Sequence, residues 1–237
     1  MLAYNGRMAT NPLISPPKNE TELLQRAKQI AGLTLFELAR QHQEQVPQEL
    51  HHAKGWIGQL LEKALGATAG SLPEPDFQQL GIELKTLPID RQGHPKESTY
   101  VCTVPLRDNH DLNWQQSWVR NKLKRVLWVP IESDKAIEIE DRHIGQAILW
   151  SPSEQQAAVL QQDWEEHMDK ICTGQLAEIS ARDGQYLQIR PKAASSRSVI
   201  ATHNEEGQLD LTLPRGFYLR SIFTQQILKQ SFHQLAT

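Results

Sequence analysis

Apolar residues recur along this chain with two different periods, and the change of period divides it into helical and extended stretches. Leu23, Leu24, Ala27 and Ile30 fall on one helical face between Thr21 and Gly32, so a helix over about 21–31 is expected, capped by Thr21 and ended by the glycine. Thr34 and Glu37 have capping-box spacing ahead of a second helix, Leu35 to about His42. Two short helices in tandem can be a packing unit or a helix-turn-helix. The second lacks a basic reading face, which favours the packing unit. From Lys54 to Gly66 a third helix is expected, with Ile57, Leu61, Ala64 and Leu65 as its apolar stripe.

The period then shortens to two. Ile82, Leu84 and Thr86 alternate with Glu83, Lys85 and Leu87, the pattern of a strand that ends near Pro88 and the turn at 91–95. Ser98–Pro105 reads as a second strand, Asn113–Leu123 as a short helix and Arg125–Ile131 as a strand buried on both faces. Ser151, Pro152 and Glu154 predict a helix start, with the helix running to about Ile171. Its acidic residues Asp163, Glu165, Glu166 and Asp169 suggest a solvated or partner-facing side. A short helix follows Gly174. Tyr186–Lys192 and Leu209–Leu213 read as strands, separated by a polar linker over 193–208. Pro214–Arg220 reads as a tight, basic, aromatic turn before an amphipathic helix, Thr224–Leu235. No internal repeat is visible.

Composition narrows the picture. A chain of 237 residues with ordinary apolar and charged fractions can build one large domain or two lobes. No apolar run approaches the ~20 residues of a membrane span, and the first 17 residues lack a signal-peptide pattern. The two cysteines, Cys102 and Cys172, have no ligand spacing, which suggests small buried residues in a reducing, cytoplasmic setting. No Cys/His zinc pattern is present. A net charge of −3 means that any nucleic-acid contact must come from local patches. One such patch is Arg120, Lys122, Lys124 and Arg125, which can equally be a solvated rim.

The candidate chemistry lies in the segment Asp76–Lys85. Glu83 and Lys85, two apart on a strand, point to the same side, and Gly81 lets the chain bend Asp76 back towards Glu83. Two carboxylates at one point make a hard-oxygen site for Mg²⁺, and a neighbouring lysine can orient water or stabilise charge on a phosphate. Glu-x-Lys alone is a common accident, and its ordinary meaning is a solvated strand edge. Glu62 lies one helical step after Gly58 on the same face, with Lys54 four further back. A glycine inside a helix suggests close approach of another backbone, which would bring Glu62 to the same point; a solvated Glu62 is the alternative.

Five blocks, KGWIGQLLE, DFQQLGIELKT, VRNKLKRVLWVP, LQIRPKAA and LTLPRGFYLR, occur in the order and spacing of the MutH family, which this chain resembles from about Leu13 onward. The resemblance implies a restriction-endonuclease-like α/β fold: a mixed central sheet flanked by helices, with two arms around a DNA cleft. It implies a single endonuclease domain (13–237) with two lobes; the disordered N-terminus (1–12) is read from Asn11-Pro12 and Ser15-Pro16-Pro17, which mark residues 1–17 as disordered. It also implies Mg²⁺-dependent nicking of the unmethylated strand at hemimethylated GATC sites in mismatch repair. MutL, with MutS upstream, would be the protein partners of a monomer. Matched by motif, Asp76, Glu83 and Lys85 are the catalytic triad and Glu62 the helix glutamate of the metal site. Lys122 and Lys54 match lysines in or near the active site. Arg190, Pro191, Lys192 and Tyr218 match segments that meet the recognition bases, with Arg215 beside them. Tyr100 stands where the family often has phenylalanine. A stand-alone type II restriction nuclease and a catalytically silent DNA-binding module of the same fold are the competing expectations. The complete Asp/Glu/Lys set argues against the silent module.

Overall fold

A computed structural model describes residues 14–70, 74–107, 109, 111–192 and 199–235; the side chains of 50–54 and 233–235 fall outside that description. In chain order the helices are α1 (Glu20–Ile30), α2 (Leu35–Gln41), α3 (Leu50–Leu65), α4 (Trp118–Leu123), α5 (Glu154–Cys172) and α6 (Ser221–Leu235). The strands are β1 (Glu83–Ile89), β2 (Thr99–Thr103), β3 (Val126–Glu132), β4 (Ile148–Trp150), β5 (Leu187–Pro191), β6 (Ile200–His203), β7 (Leu209–Thr212) and β8 (Arg215–Leu219).

The central sheet is mixed, as the family resemblance implies: β1 runs parallel to β3, and β4 pairs antiparallel to the other edge of β3. A strand covered on both faces should be apolar throughout, and β3 is buried from Val126 to Ile131. Its alternate residues enter different cores. Leu127, Val129 and Ile131 join Leu23, Leu38, Leu61, Ile82 and Leu84 under α1–α3. Val126 and Trp128 join Leu87, Trp164, Phe217 and Phe223 on the opposite face. Each such fully buried side chain contributes about 1.5–3 kcal/mol relative to exposure, so the sheet is fixed from both sides. The helix pair α1–α2 is therefore a packing unit, with Leu35, Leu38 and Ala39 turned into the core and the Thr34–Glu37 capping box formed.

The second core is roofed by an antiparallel sheet of order β2-β8-β5, with a separate hairpin, β6–β7. Here several expectations are corrected. Residues 215–219 form not a turn but the middle strand, because Phe217 and Leu219 alternate into the core and both flanking strands pair with them. The stretch expected to be a polar linker contains β6, paired with β7 through Ala201–Leu211 and Thr202–Asp210; residues 193–198 lie outside the described set. The short helix expected after Gly174 is a single 3₁₀ turn, Leu176–Glu178, and the 113–123 helix is a 3₁₀ turn followed by α4. Two helix caps move. Asn19, not Thr21, caps α1, and Ser153 with Gln156 caps α5, while Ser151 instead donates its hydroxyl to the Lys124 carbonyl.

Asp163 does not belong to a solvated acidic side. It is buried and accepts the backbone N–H groups of Gln185, Tyr186 and Leu187 at 2.6–2.8 Å, tying α5 to the start of β5. Cys102 is buried as expected, but Cys172 is exposed. No helix among the described residues is long and apolar enough to cross a membrane.

Candidate active site

The site forms where α3, the approach to β1, and α4 meet. Gly81, in the left-handed region at φ 64°, closes the turn after the 3₁₀ segment Gln78–Leu80, and an isolated bridge pairs Phe77 with Ile82. That turn folds Asp76 back so that its Oδ2 accepts the Leu84 N–H at 2.7 Å. β1 then presents Glu83 and Lys85 to one side, with the Lys85 ammonium 2.8 Å from Glu83 Oε1. α4 delivers a second cation: Lys122 Nζ lies 2.9 Å from Glu83 Oε2 and donates to the Glu74 carbonyl at 2.8 Å. Glu83, 4% exposed, is thus held on both oxygens by ammonium groups.

Glu62, on α3, lies near enough for its charge to be felt by the same group. Burial raises the Glu62 carboxyl above the usual carboxylate range, and the charges of Asp76 and Glu83 raise it further. Asp76 is raised in the same way, by burial first and Glu83 second, against the opposing hydrogen bond from Leu84. Carboxylates whose charges oppose one another, with two lysines offsetting them, are hard oxygens of the kind a small divalent cation takes. As they stand, no three His, Cys, Asp or Glu side chains among the described residues close on a point as a ligand shell. Lys85 and Lys122 take the two Glu83 oxygens.

The rest of the basic patch disperses. Arg125 pairs with Glu20 at 2.6 Å and Arg120 donates to the Gln115 carbonyl, while Lys122 joins the site. Cys102 lies close enough to feel the charges of Lys85 and Lys122, but burial pushes its thiol up to about 12 and leaves it an inert apolar group. Lys54 is carried by α3, but its side chain falls outside the description.

Beside the carboxylates opens a cleft of about 1090 Å³. One side is formed by Gly55, Gly58, Glu62 and Lys85, and the other by Tyr100, Arg190, Pro191, Lys192 and Tyr218. Among the described residues Gly58 is not packed against another backbone: a Cβ built there meets none of their atoms within 4 Å, so the glycine leaves space in the cleft. Across the cleft the antiparallel register puts Tyr100 and Gln188 opposite Tyr218. The rings of Tyr100 and Tyr218 meet edge-on, 5.4 Å between centroids. Gly216 lies beneath both: a Cβ there would come within 2.9 Å of each ring. Lys192 Nζ sits 3.9 Å above the Tyr100 ring and 2.5 Å from its hydroxyl, so the hydroxyl is occupied with a lysine.

Arg215 is placed elsewhere. It lies with Leu176, Thr202 and Asp210 around a smaller cavity of about 350 Å³, and its Nε is buried without a partner among the described residues. Arg220, its companion in sequence, donates to the carbonyls of Ala181, Asp183 and Gly184 and fixes a loop instead. The cleft also holds residues that sequence reasoning passed over. Lys96, Lys135 and buried Arg142 line it, as does Ser98 beside Arg190. For Ser98 the signal was available: it lies two residues before Tyr100, on the same side of the strand path.

The sequence profile of the family described as DNA mismatch repair enzyme MutH matches residues 65–163, which include Asp76, Glu83, Lys85 and Lys122. A DNA mismatch repair protein MutH of Shewanella amazonensis is 56% identical over 217 residues, 92% of this chain and 97% of the relative. Proteins of the same name from Shewanella baltica and Vibrio vulnificus are 52% and 51% identical over 219 residues, covering 92% of this chain and 98% and 96% of theirs. Identity at that level, spread over nearly the whole of both chains and accompanied by the mixed sheet and the carboxylate–lysine cluster, shows that this chain belongs to the MutH family of DNA mismatch repair enzymes.

Proposed function

We propose that this enzyme nicks the unmethylated strand of hemimethylated GATC sites by Mg²⁺-dependent phosphodiester hydrolysis. The supporting observation is that Glu62, Asp76, Glu83, Lys85 and Lys122 gather beside a cleft whose far side carries Arg190, Lys192, Tyr100 and Tyr218. Duplex DNA lying between these two walls, one per lobe of a single 13–237 domain, would meet cutting groups on one side and reading groups on the other.

In this reading Asp76 and Glu83 hold the cation, with Glu62 completing the acidic set. When bound, Mg²⁺ would supply Lewis acidity toward the scissile phosphate and a lowered pKa for a coordinated water. The Leu84 N–H fixes one oxygen of the Asp76 carboxylate. Lys85, whose ammonium lies 2.8 Å from Glu83 Oε1, would orient the attacking water or offset charge on the phosphate oxygens. Lys122 keeps its hold on the Glu74 carbonyl and so remains beside Glu83. Arg190 and Lys192 project from the end of β5, where a guanidinium or ammonium can take a guanine edge in the major groove. Tyr218 meets the adenine that carries or lacks the methyl group.

DNA and the mismatch-repair machinery are the partners. We assign activation to MutL, downstream of MutS, and read the enzyme as a cytoplasmic monomer. The test is nicking of unmethylated, hemimethylated and fully methylated GATC duplexes, with and without Mg²⁺ and MutL. Single-strand cuts confined to the unmethylated strand and stimulated by MutL are expected. Double-strand cutting without MutL would indicate a stand-alone restriction nuclease, and metal-independent binding without cleavage a silent module.

A further inference from the structure

Arg190 is set in position by a side chain from another strand. Ser98 precedes β2, and Arg190 belongs to β5; β8 lies between those two strands. Ser98 Oγ nevertheless accepts from Arg190 Nη1 at 3.2 Å and from Gln188 Nε2 at 2.6 Å. Gln188 is 5% exposed and pairs in register with Tyr218. The three groups therefore form a bridge that spans the middle strand on its cleft side. A serine hydroxyl has two acceptor positions, and here Gln188 and Arg190 take both. Gln188 is buried and cannot swing away without losing its partner, so it fixes the hydroxyl. The hydroxyl in turn fixes one edge of the guanidinium.

We propose that Ser98, anchored by Gln188, is a positioning residue that pre-sets the Arg190 guanidinium for recognition of its base. An arginine side chain has several rotatable bonds, and ordering it on binding costs affinity. A guanidinium already held at one nitrogen keeps its remaining donors directed along the cleft, where bidentate contact with a base edge depends on orientation. Ser98 thus acts on sequence preference without being required to touch DNA. The proposal rests on Arg190 reading a base of the site.

A double-mutant cycle on the full-length protein tests it. The readout is the ratio of nicking rates on GATC duplexes to rates on duplexes with one base pair of the site changed, at fixed Mg²⁺. Ser98→Ala is expected to lower that ratio roughly fivefold, the size one hydrogen bond carries, and Ser98→Thr, which keeps the hydroxyl, to retain most of it. In an Arg190→Ala background, Ser98→Ala should lower the ratio no further, because its effect passes through the missing guanidinium. A merely structural role would instead lower the ratio equally in both backgrounds. If Arg190→Ala itself keeps the wild-type ratio, the assignment of Arg190 to base reading fails. If Arg190→Ala loses the ratio while Ser98→Ala keeps it, or if the two effects add in full, the positioning role fails and the Arg190 assignment stands.

Discussion

Lys122 Nζ lies 2.9 Å from Glu83 Oε2, joining α4 to β1 across 39 residues of sequence. Both side chains are nearly buried, at 15% and 5% exposure, so the contact is not a screened surface pair. Removing the lysine leaves Glu83 with Lys85 as its one cation among the described residues and leaves the Glu74 carbonyl without this donor. Lys122→Met is therefore expected to cost about 1.5–3 kcal/mol of stability in metal-free protein and to lower nicking at least tenfold. Mg²⁺ should restore much of the stability but not the activity. Chemical denaturation with and without Mg²⁺, beside a nicking assay, checks this; a variant as stable as the parent without metal would mean that the contact carries no weight.

The triad itself gives the next expectation. Asp76→Ala, Glu83→Ala and Lys85→Ala should each abolish detectable nicking while leaving duplex binding within a few-fold of the parent, since the far side of the cleft is untouched. Mobility-shift and nicking measurements on the same preparations separate the two. Parent-like nicking by Glu83→Ala would remove the basis of the site.

The raised carboxyls set a pH dependence whose sign is definite. Asp76 and Glu62 bind protons more tightly in the folded protein than in the unfolded chain. Their protonation therefore favours folding: that contribution is fully present below the ordinary carboxylate range and is lost as pH rises through the raised folded values. At neutral pH the ionised pair opposes folding, and a divalent cation relieves it. Metal-free Glu62→Gln should then melt higher than the parent at neutral pH, with the gap closing below the ordinary carboxylate range. Its nicking should be slower and should need more Mg²⁺. A melting point below the parent's at neutral pH would contradict the crowding of the three carboxylates.

Local signals in the sequence were legible and remote ones were not. The Thr34–Glu37 box, the buried run of β3 and the Asp76–Gly81–Glu83 turn depend on neighbours a few residues away, and each formed where the pattern placed it. β8 was misread because a proline and a glycine at 214 and 216 resemble turn punctuation. Gly216 instead makes room for the rings of Tyr100 and Tyr218, which arrive from another strand and from two residues on. Asp163 was misread because a carboxylate on an acidic helix face looks solvated until the three backbone N–H groups at 185–187 are brought to it. The Ser98 bridge spans 92 residues to Arg190, and no local period reports it.

Gly58 separates stability from function. A Cβ there meets nothing among the described residues, so Gly58→Ala should stabilise α3 by roughly 1 kcal/mol, which is about 2–4 °C in melting temperature for a chain of this size. The added methyl group would enter the cleft beside Glu62, and Gly58→Leu would fill more of it. Both variants are expected to fold and to nick more slowly at low DNA concentration, Gly58→Leu the more so. A destabilised Gly58→Ala would show that the glycine serves packing after all.

We propose Tyr218, whose ring is held by its neighbours, as the methyl sensor. The Tyr100 ring meets it edge-on, and Gly216 leaves both rings seated close to the strand. A ring held this way can pack against or hydrogen-bond the N6 edge of adenine in the major groove. Methylation there replaces one hydrogen and adds bulk, so a fixed ring favours the unmethylated strand, whereas a loose one would yield. Tyr218→Ser should bring the ratio of nicking on unmethylated to fully methylated GATC towards one while Mg²⁺ dependence stays as in the parent. Gly216→Ala should act in the same direction through the backbone, because its Cβ cannot sit 2.9 Å from two rings and at least one must move. Arg190→Ala should behave differently, losing preference for GATC itself by roughly 1–3 kcal/mol of discrimination. Paired rates on unmethylated, hemimethylated and fully methylated oligonucleotides, and on one-base variants of the site, distinguish these outcomes. If Tyr218→Ser keeps the parent ratio, the sensor is another group, and Tyr100, with Lys192 on its hydroxyl, is the next to replace.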